Sequence, residues 1–417
     1  MTLFTRTAHH RHTGHRARLA ALALALAGLL APPALQAQDN AAAAKPAKSN
    51  NAAKNKNNAK PAPKKASKPA AGKAKKAPAK KPKPNGKVSS RGTPAHVVGA
   101  KAYGTRDDVR AFAQELATAR GLDADWALQQ LAQARRIDSV QKLMMPPTTE
   151  AGTPAPKDWG AYRDRFVEPR RITAGAAFWQ VNAEALGRAE ARFGVPVEVI
   201  VGVAGVETFY GRLNGAFRVI DALATLAFDF PEGRSDRSAF FRSELAEFLV
   251  LCQREGLDPQ TAKGSFAGAM GMAQFMPGSI NRYAVDFDGD GRVDLTGSSA
   301  DAIGSIANYL AQHGWQPGQP ATYAVQAPAD EAQRSRLLQP DIQPSFSAAQ
   351  FAEAGAELEP SGRAHSGPLA LVLLENGNRP ASYVAGTQNF YALTRYNWSS
   401  LYAMAVLELG AAVKQQR

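Results

Sequence analysis

The residue best placed to do acid–base chemistry is Glu207. It ends an unbroken apolar run, Val199-Ile200-Val201-Gly202-Val203-Ala204-Gly205-Val206. A carboxyl in apolar surroundings resists ionisation, so its pKa rises and it can hold a proton near neutral pH. Glycosidases protonate a leaving sugar oxygen in this way. The plainer reading is a helix-end glutamate paired with Arg212. A second segment runs from Gly264 to Pro277 and is almost entirely small, with Ser265 and Gln274 as its polar side chains. Small residues let a bulky chain approach the backbone, and Ser and Gln can hydrogen-bond an N-acetyl sugar. Tight helix–helix packing through Gly and Ala accounts for the same composition.

The third group is Asp286-Phe287-Asp288-Gly289-Asp290-Gly291-Arg292-Val293-Asp294. Oxygen ligands at the first, third, fifth and ninth positions, Gly at the sixth and a carbonyl at the seventh match the front of an EF-hand loop. The twelfth position is Gly297 and not the usual Glu, and Asp301 stands where it can complete the shell. The alternative is an Asp/Gly turn without metal. A fourth group is aromatic: Asn389-Phe390-Tyr391, Thr394-Arg395-Tyr396-Asn397-Trp398, and Tyr402. Such rings can stack on sugars, and buried core aromatics have the same composition.

These groups need rigid elements to hold them, and the periodicity predicts a mainly helical body. Asp107 and Asp108 can cap a helix carrying Val109, Phe112 and Leu116, with Gly121 to end it. Asp123 can start the next. Helical spacing continues through Phe178, Val181 and Leu186 to Gly194, and Pro196 can open the Glu207 helix. Residues 239–254 and 300–313 are further amphipathic helices. Short β-branched or aromatic runs at 321–327, 368–374 and 382–385 predict strands. The fold class expected is mainly α (α+β), with a small β-rich insertion at about 316–390.

The chain has 417 residues and a formal net charge of +14. That charge suggests a nucleic-acid binder until it is located. Residues 40–93 carry fifteen Lys, Arg91 and no acid, whereas residues 94–417 carry 30 basic and 35 acidic residues. The body is mildly acidic, which excludes a histone-like or nuclease-like core, and no nucleic-acid partner is expected. Arg6, Arg11, Arg16 and Arg18 precede an apolar stretch from Leu19 to Leu30 and a small-residue exit at Ala37. This reads as a secretory signal peptide over 1–37. Its twelve apolar residues are too few to span a bilayer, which takes about 20. Residues 38–98 read as a disordered Lys/Ala/Pro-rich linker. Either it is a solvated tether, or it holds the protein near anionic envelope polymers. The catalytic body would be 99–417. The single cysteine, Cys252, sits among core positions and reads as an inert buried thiol.

The four groups, in this order, resemble the membrane-bound lytic murein transglycosylase B family, glycoside hydrolase family 103. The matching stretches are Gly205-Val206-Glu207-Thr208, Tyr210-Gly211-Arg212, Asp221 to Leu226, Lys263 to Pro277, Tyr283 to Phe287, Asp301 to Ser305 and Asn389 to Val406. The likeness runs from about Asp158 to Val413. It implies a lysozyme-like helical core and cleavage of the β-1,4 bond between N-acetylmuramic acid and N-acetylglucosamine in peptidoglycan. Glu207 would act as acid and then as base, giving 1,6-anhydromuramoyl ends without consuming water. The resemblance places saccharide contacts on Tyr162, Arg237, Ser265, Gln274, Tyr309, Tyr396, Asn397 and Tyr402. It places a structural calcium ion on Asp286, Asp288, Asp290, the Arg292 carbonyl and Asp301, and implies no organic cofactor. The family name implies a lipid anchor. This chain lacks a cysteine near the export signal, so a soluble periplasmic enzyme of a Gram-negative cell, without a membrane anchor, is expected. The competing expectations are a muramidase that uses water, made credible by a second acid such as Asp221, Asp229 or Glu244 near Glu207, and a non-catalytic wall-binding scaffold.

Overall fold

The computed structural model of the chain describes residues 103–146 and 156–417. The expected signal peptide and linker lie outside the described residues. Three helices come first: α1 (Asp107–Arg120), α2 (Ala124–Ala132) and α3 (Asp138–Met144). Gly121 ends α1 in the left-handed conformation, φ 68°, and Asp123 caps α2 through the Trp126 N–H at 2.6 Å. Asp107 and Asp108 do not cap α1 as expected. Arg106 holds the cap position and grips Asp108 at 2.7 Å, so the acids lie in the first turn, where the helix dipole still favours them.

After the gap come α4 (Trp159–Arg163), α5 (Pro169–Val181), α6 (Ala183–Phe193) and α7 (Val197–Thr208). The two-residue strand β1 (Phe217–Arg218) leads into α8 (Val219–Phe228), and α9 (Ser238–Glu255) packs along α8. Strand β2 (Lys263–Gly264) pairs antiparallel with β1, and α10 (Pro277–Tyr283) and α11 (Ser299–Gln312) follow. Next come β3 (Thr322–Gln326), α12 (Glu331–Leu338), α13 (Ala348–Glu353), β4 (Glu357–Leu358), α14 (Pro360–Arg363), β5 (Ala370–Asn376) and β6 (Arg379–Gly386). Their antiparallel sheet has the order β4-β3-β6-β5 and covers a separate small core around Tyr323, Leu337, Phe351 and Leu371. The chain closes with α15 (Gln388–Tyr396) and α16 (Ser400–Gln416). The fold is mainly helical with small sheets, the class expected. Among the described residues no helix is long and apolar enough to cross a membrane.

The centre of the body is α7, buried along nearly its whole length because every residue from Val199 to Val206 is apolar or Gly. Its main partner is α16, and the two backbones come unusually close. A Cβ on Gly410 would stand 2.1 Å from the Glu198 carbonyl oxygen, and one on Gly202 would stand 2.3 Å from that of Val406. Glycine is therefore what lets α16 lie against α7, and α16 carries Tyr402 across to Glu207.

Candidate active site

Glu207 is the penultimate residue of α7. The helix stops there because Phe209 (φ 52°), Tyr210 (φ 60°) and Gly211 (φ 80°) all turn left-handed. Two of these are not glycine, so the turn stores strain. Its bonds hold it: the Tyr210 N–H reaches the Ala204 carbonyl at 3.0 Å, the Thr208 hydroxyl donates to the Met272 carbonyl at 2.9 Å, and the Gly211 N–H donates to Thr208 Oγ1 at 2.9 Å. Thr208 thus ties the end of α7 to the small-residue segment.

The Glu207 side chain is buried and accepts a 2.6 Å hydrogen bond from the Tyr402 hydroxyl on Oε1. Burial pushes its carboxyl up to about 8, and the Tyr402 hydrogen bond offsets part of that rise. Arg212 is not its partner. That guanidinium lies over the Phe209 ring, 4.9 Å from its centre, and no ion pair to Glu207 occurs among the described residues. None of the three suspected acids hydrogen-bonds to Glu207 or contributes to its raised pKa. Asp221 is held by Arg218 at 2.7 Å and by the Arg135 N–H at 2.9 Å. Asp229 takes Tyr103 and Arg106 at 2.7 and 3.0 Å. Glu244 accepts the Gly278 N–H at 2.8 Å, and burial raises it to about 7.

Tyrosines surround the carboxyl. Burial, and then the charge of Glu207, raises the hydroxyls of Tyr162, Tyr396 and Tyr402. Tyr396 donates to the Ala273 carbonyl at 2.7 Å, and Tyr309 donates to the Arg395 carbonyl at 2.7 Å. Their rings lie 4.9 Å apart. The expected Tyr162, Tyr309, Tyr396 and Tyr402 therefore gather around Glu207 and the segment facing it, and Asn397 is buried next to Tyr396.

That segment, 264–277, is not a helix. It folds into tight turns: Ser265 N–H to the Ala269 carbonyl at 2.8 Å, and Met270 exchanging bonds with Phe275 at 2.8 and 3.2 Å. Its small residues serve its own packing, since a Cβ on Gly271 would stand 2.5 Å from the Leu295 carbonyl oxygen. Ser265 is fully buried, and its Oγ accepts from the Ala267 and Ala269 N–H groups at 3.3 and 3.0 Å, so it shapes the loop. Gln274 sits at φ 48°, and its Nε2 donates to the Gly271 carbonyl at 2.9 Å. Arg237 lies at the start of α9, its guanidinium over the rings of Phe240 and Phe241, and burial lowers it to about 10. The Cys252 thiol is buried and pushed up to about 12, an inert core group.

The acidic loop brings three of its expected ligands together. One carboxylate oxygen from each of Asp286, Asp288 and Asp290 lies within 4.8 Å of the others, a hard-oxygen set that suits calcium. Asp301 has a different place. It is buried inside the loop, Oδ1 accepting from the Phe287 and Asp288 N–H groups at 2.7 and 3.3 Å and Oδ2 from Asp294 at 2.8 Å. Both of its oxygens brace the backbone. Arg292 enters through its N–H, which donates to Asp290 Oδ1 at 2.9 Å.

The arrangement can deliver a proton from a buried carboxyl to a bound ether oxygen and then take one back. If the raised pKa of Glu207 sets the basic side of the pH profile, Tyr402→Phe will move that limb upward from about pH 8, because the lost hydrogen bond favoured the carboxylate. Profiles of kcat/KM against pH on soluble glycan strands read this directly, and a limb that stays in place contradicts the assignment.

Comparison with known proteins identifies the family. The transglycosylase SLT domain family matches residues 104–411. The membrane-bound lytic murein transglycosylase B of Escherichia coli strain K12 is 40% identical over 322 residues, covering 76% of this chain and 85% of that protein. The E. coli lytic transglycosylase Slt35, solved in complex with calcium, is 38% identical with a TM-score of 0.64, covering 75% of this chain and 94% of that one. SltB3 of Pseudomonas aeruginosa, solved with NAG-NAM-pentapeptide, is 32% identical with a TM-score of 0.62, covering 73% and 78%. A family match over residues 104–411 and a relative 40% identical over three quarters of the chain place this protein in the lytic murein transglycosylase family: it is an enzyme that acts on peptidoglycan.

Proposed function

We propose that Glu207 performs both proton transfers of a non-hydrolytic cleavage at the bond between N-acetylmuramic acid and N-acetylglucosamine. As the neutral acid it protonates the glycosidic oxygen while the bond to the muramoyl C1 breaks. As the resulting carboxylate it removes the proton of the C6 hydroxyl, whose oxygen closes on C1. The products are a 1,6-anhydromuramoyl end and a free N-acetylglucosamine hydroxyl. Atoms balance without water, and Glu207 ends protonated as it began. The observation that supports this most is a carboxyl held at about 8 by burial, with Tyr402 as its hydrogen-bond partner and no other carboxylate contributing to that rise. A neutral acid at the start and an unscreened base midway are what one residue in two roles requires. Tyr162, Gln274, Tyr309, Tyr396, Asn397, Tyr402 and Arg237 are the residues assigned to the glycan groove, and the buried Ser265 shapes the loop that carries Gln274. Digestion of purified peptidoglycan followed by mass spectrometry tests the scheme: anhydro ends support it, reducing ends indicate a water-using muramidase, and no release indicates a scaffold.

The proposed calcium site uses Asp286, Asp288 and Asp290, with the Arg292 carbonyl, and Asp301 bracing the loop from within. The ion would neutralise three clustered carboxylates and stiffen the turn before α11, with no step of the chemistry. Calcium is therefore expected to raise the melting temperature, and Asp288→Asn is expected to abolish that rise while leaving the metal-free melting point nearly unchanged. Equal stabilisation of the variant by calcium would place the ion elsewhere.

We place the enzyme in the periplasm, exported by residues 1–37. The Lys-rich stretch would hold it near anionic envelope polymers. Deleting 40–93 removes sixteen positive charges, so binding to isolated sacculi should fall more at low than at high salt. A pelleting assay with unchanged affinity at low salt would leave the stretch as a plain tether.

A further inference from the structure

Thr208 is fully buried and follows Glu207 directly, and its hydroxyl has one proton to give. A threonine in a helix ordinarily donates to the carbonyl four residues back, and here that bond, to Ala204, is long at 3.4 Å. The shorter bond, 2.9 Å, crosses to the Met272 carbonyl, 64 positions along the chain. The same hydroxyl oxygen accepts the Gly211 N–H at 2.9 Å, and the Thr208 carbonyl accepts the Leu213 N–H at 3.0 Å. Side chain and backbone of this one residue therefore hold the turn after Glu207 at two points and tie it to a distant segment.

The Met272 carbonyl is a fixed anchor. The Met272 N–H donates to the Leu295 carbonyl at 2.7 Å. A Cβ on Gly271 would stand 2.5 Å from that same carbonyl oxygen, and one on Gly268 would stand 2.5 Å from Leu223 of α8. The segment is thus wedged between α8 and Leu295. Leu295 in turn follows Asp294, whose N–H Asp301 holds at 2.8 Å. The turn tied to this wall is strained, with Phe209 and Tyr210 both at positive φ. Such backbone persists only while its surroundings over-determine it. Without the hydroxyl the turn can relax, and Glu207 stands at its root.

We propose that Thr208 is a positioning residue of the reaction: its hydroxyl locks the strained turn onto the 264–277 segment, and the lock keeps the Glu207 carboxyl against Tyr402 and away from water. This rests on the reading of Glu207 as acid and base. The alternative is a threonine that serves stability alone.

The test compares the full chain carrying Thr208→Val, which keeps the shape and removes both hydroxyl bonds, with Thr208→Ser, which keeps them. On soluble glycan strands Thr208→Val is expected to lose about 10–100-fold in kcat, the scale of a small misplacement, with KM nearly unchanged. The basic limb of its kcat/KM profile should move down from about pH 8 as water reaches the carboxyl, the opposite direction to Tyr402→Phe. The other ionisable groups around the carboxyl titrate outside that range. The hydroxyls of Tyr162 on α4, Tyr396 on α15 and Tyr402 on α16 are all raised, and Arg171 on α5, held on the Gly205 carbonyl at 2.6 Å, stays charged. Thr208→Ser should retain the parent's limb and most of its rate. A lowered kcat with an unmoved limb, or equal losses in Thr208→Ser, would overturn the proposal. If Thr208→Val does not fold, Thr208→Cys, a weaker donor in the same space, must move the limb the same way, and an unmoved limb there contradicts the proposal just as directly. The carbon NMR signal of the Glu207 carboxyl, assigned by its loss in Glu207→Gln, follows the same titration without turnover. Absence of anhydro products from the parent would instead refute the reaction scheme, and that signal would still decide whether Thr208 sets the carboxyl.

Discussion

Glu207→Gln is expected to lower kcat by about 10²–10⁴-fold, the usual contribution of a positioned acid–base group, with little change in strand binding. Glutamine fills the same space and keeps a hydrogen-bond acceptor for Tyr402, so the loss reports chemistry and not packing. The same variant carries a stability signature of definite sign. In the folded protein the Glu207 carboxyl titrates near 8, against an ordinary value of 4.5. Its folded form holds the proton more tightly than the unfolded chain does, so the parent loses stability as pH rises from about 4.5 towards 8. Glutamine does not titrate. The melting temperature of the variant should therefore gain on the parent across that window and be close to it below. A gap that does not widen with pH would mean the carboxyl is not held neutral by burial.

The second large effect is expected from Gly410→Ala. The new methyl carbon would stand 2.1 Å from the Glu198 carbonyl oxygen. Backbone cannot swing aside as a side chain can, so α16 must move away from α7. Overpacking of this kind costs about 1–3 kcal/mol. The move also withdraws Tyr402 from Glu207, so activity should fall beyond what the lost stability explains. Gly187 supplies the control. It lies exposed in α6, and a Cβ there would meet nothing within 4 Å. Gly187→Ala should raise stability by roughly 0.5–1 kcal/mol and leave the rate alone. Thermal melts with initial rates on both variants distinguish the outcomes, and comparable behaviour of the two would refute the close-packing account.

The parts of this molecule that were legible in the sequence are those whose signals are local. The apolar period of α9, the Gly121 and Gly194 stops and the Asp123 cap all act within a turn or two. The acid at the end of an apolar helix was legible for the same reason, because burial of Glu207 follows from its own neighbours. What sequence reasoning missed depends on contacts far along the chain. The hydrogen bond from Tyr402 to Glu207 spans 195 positions. The helix that delivers it, α16, has apolar residues on most of its surface and so shows little amphipathic period. The pairing of Gly202 with Val406 and of Gly410 with Glu198 was a usable clue, since glycines inside two apolar helices mark a close crossing. The small-residue segment could equally have been helix packing. Its turns are fixed by Leu223 and Leu295, which lie outside it. Asp301 had the right type and position for a ligand, but its donors are backbone N–H groups that no spacing rule reveals.

The central claim is that one carboxyl does the work of acid and base with no water consumed. Digestion of peptidoglycan in water enriched in the heavy oxygen isotope tests it most directly. The account predicts muramoyl ends lighter by one water than reducing ends, carrying none of the label, formed by the parent and lost in Glu207→Gln. Reducing muramoyl ends that carry the heavy oxygen would contradict it.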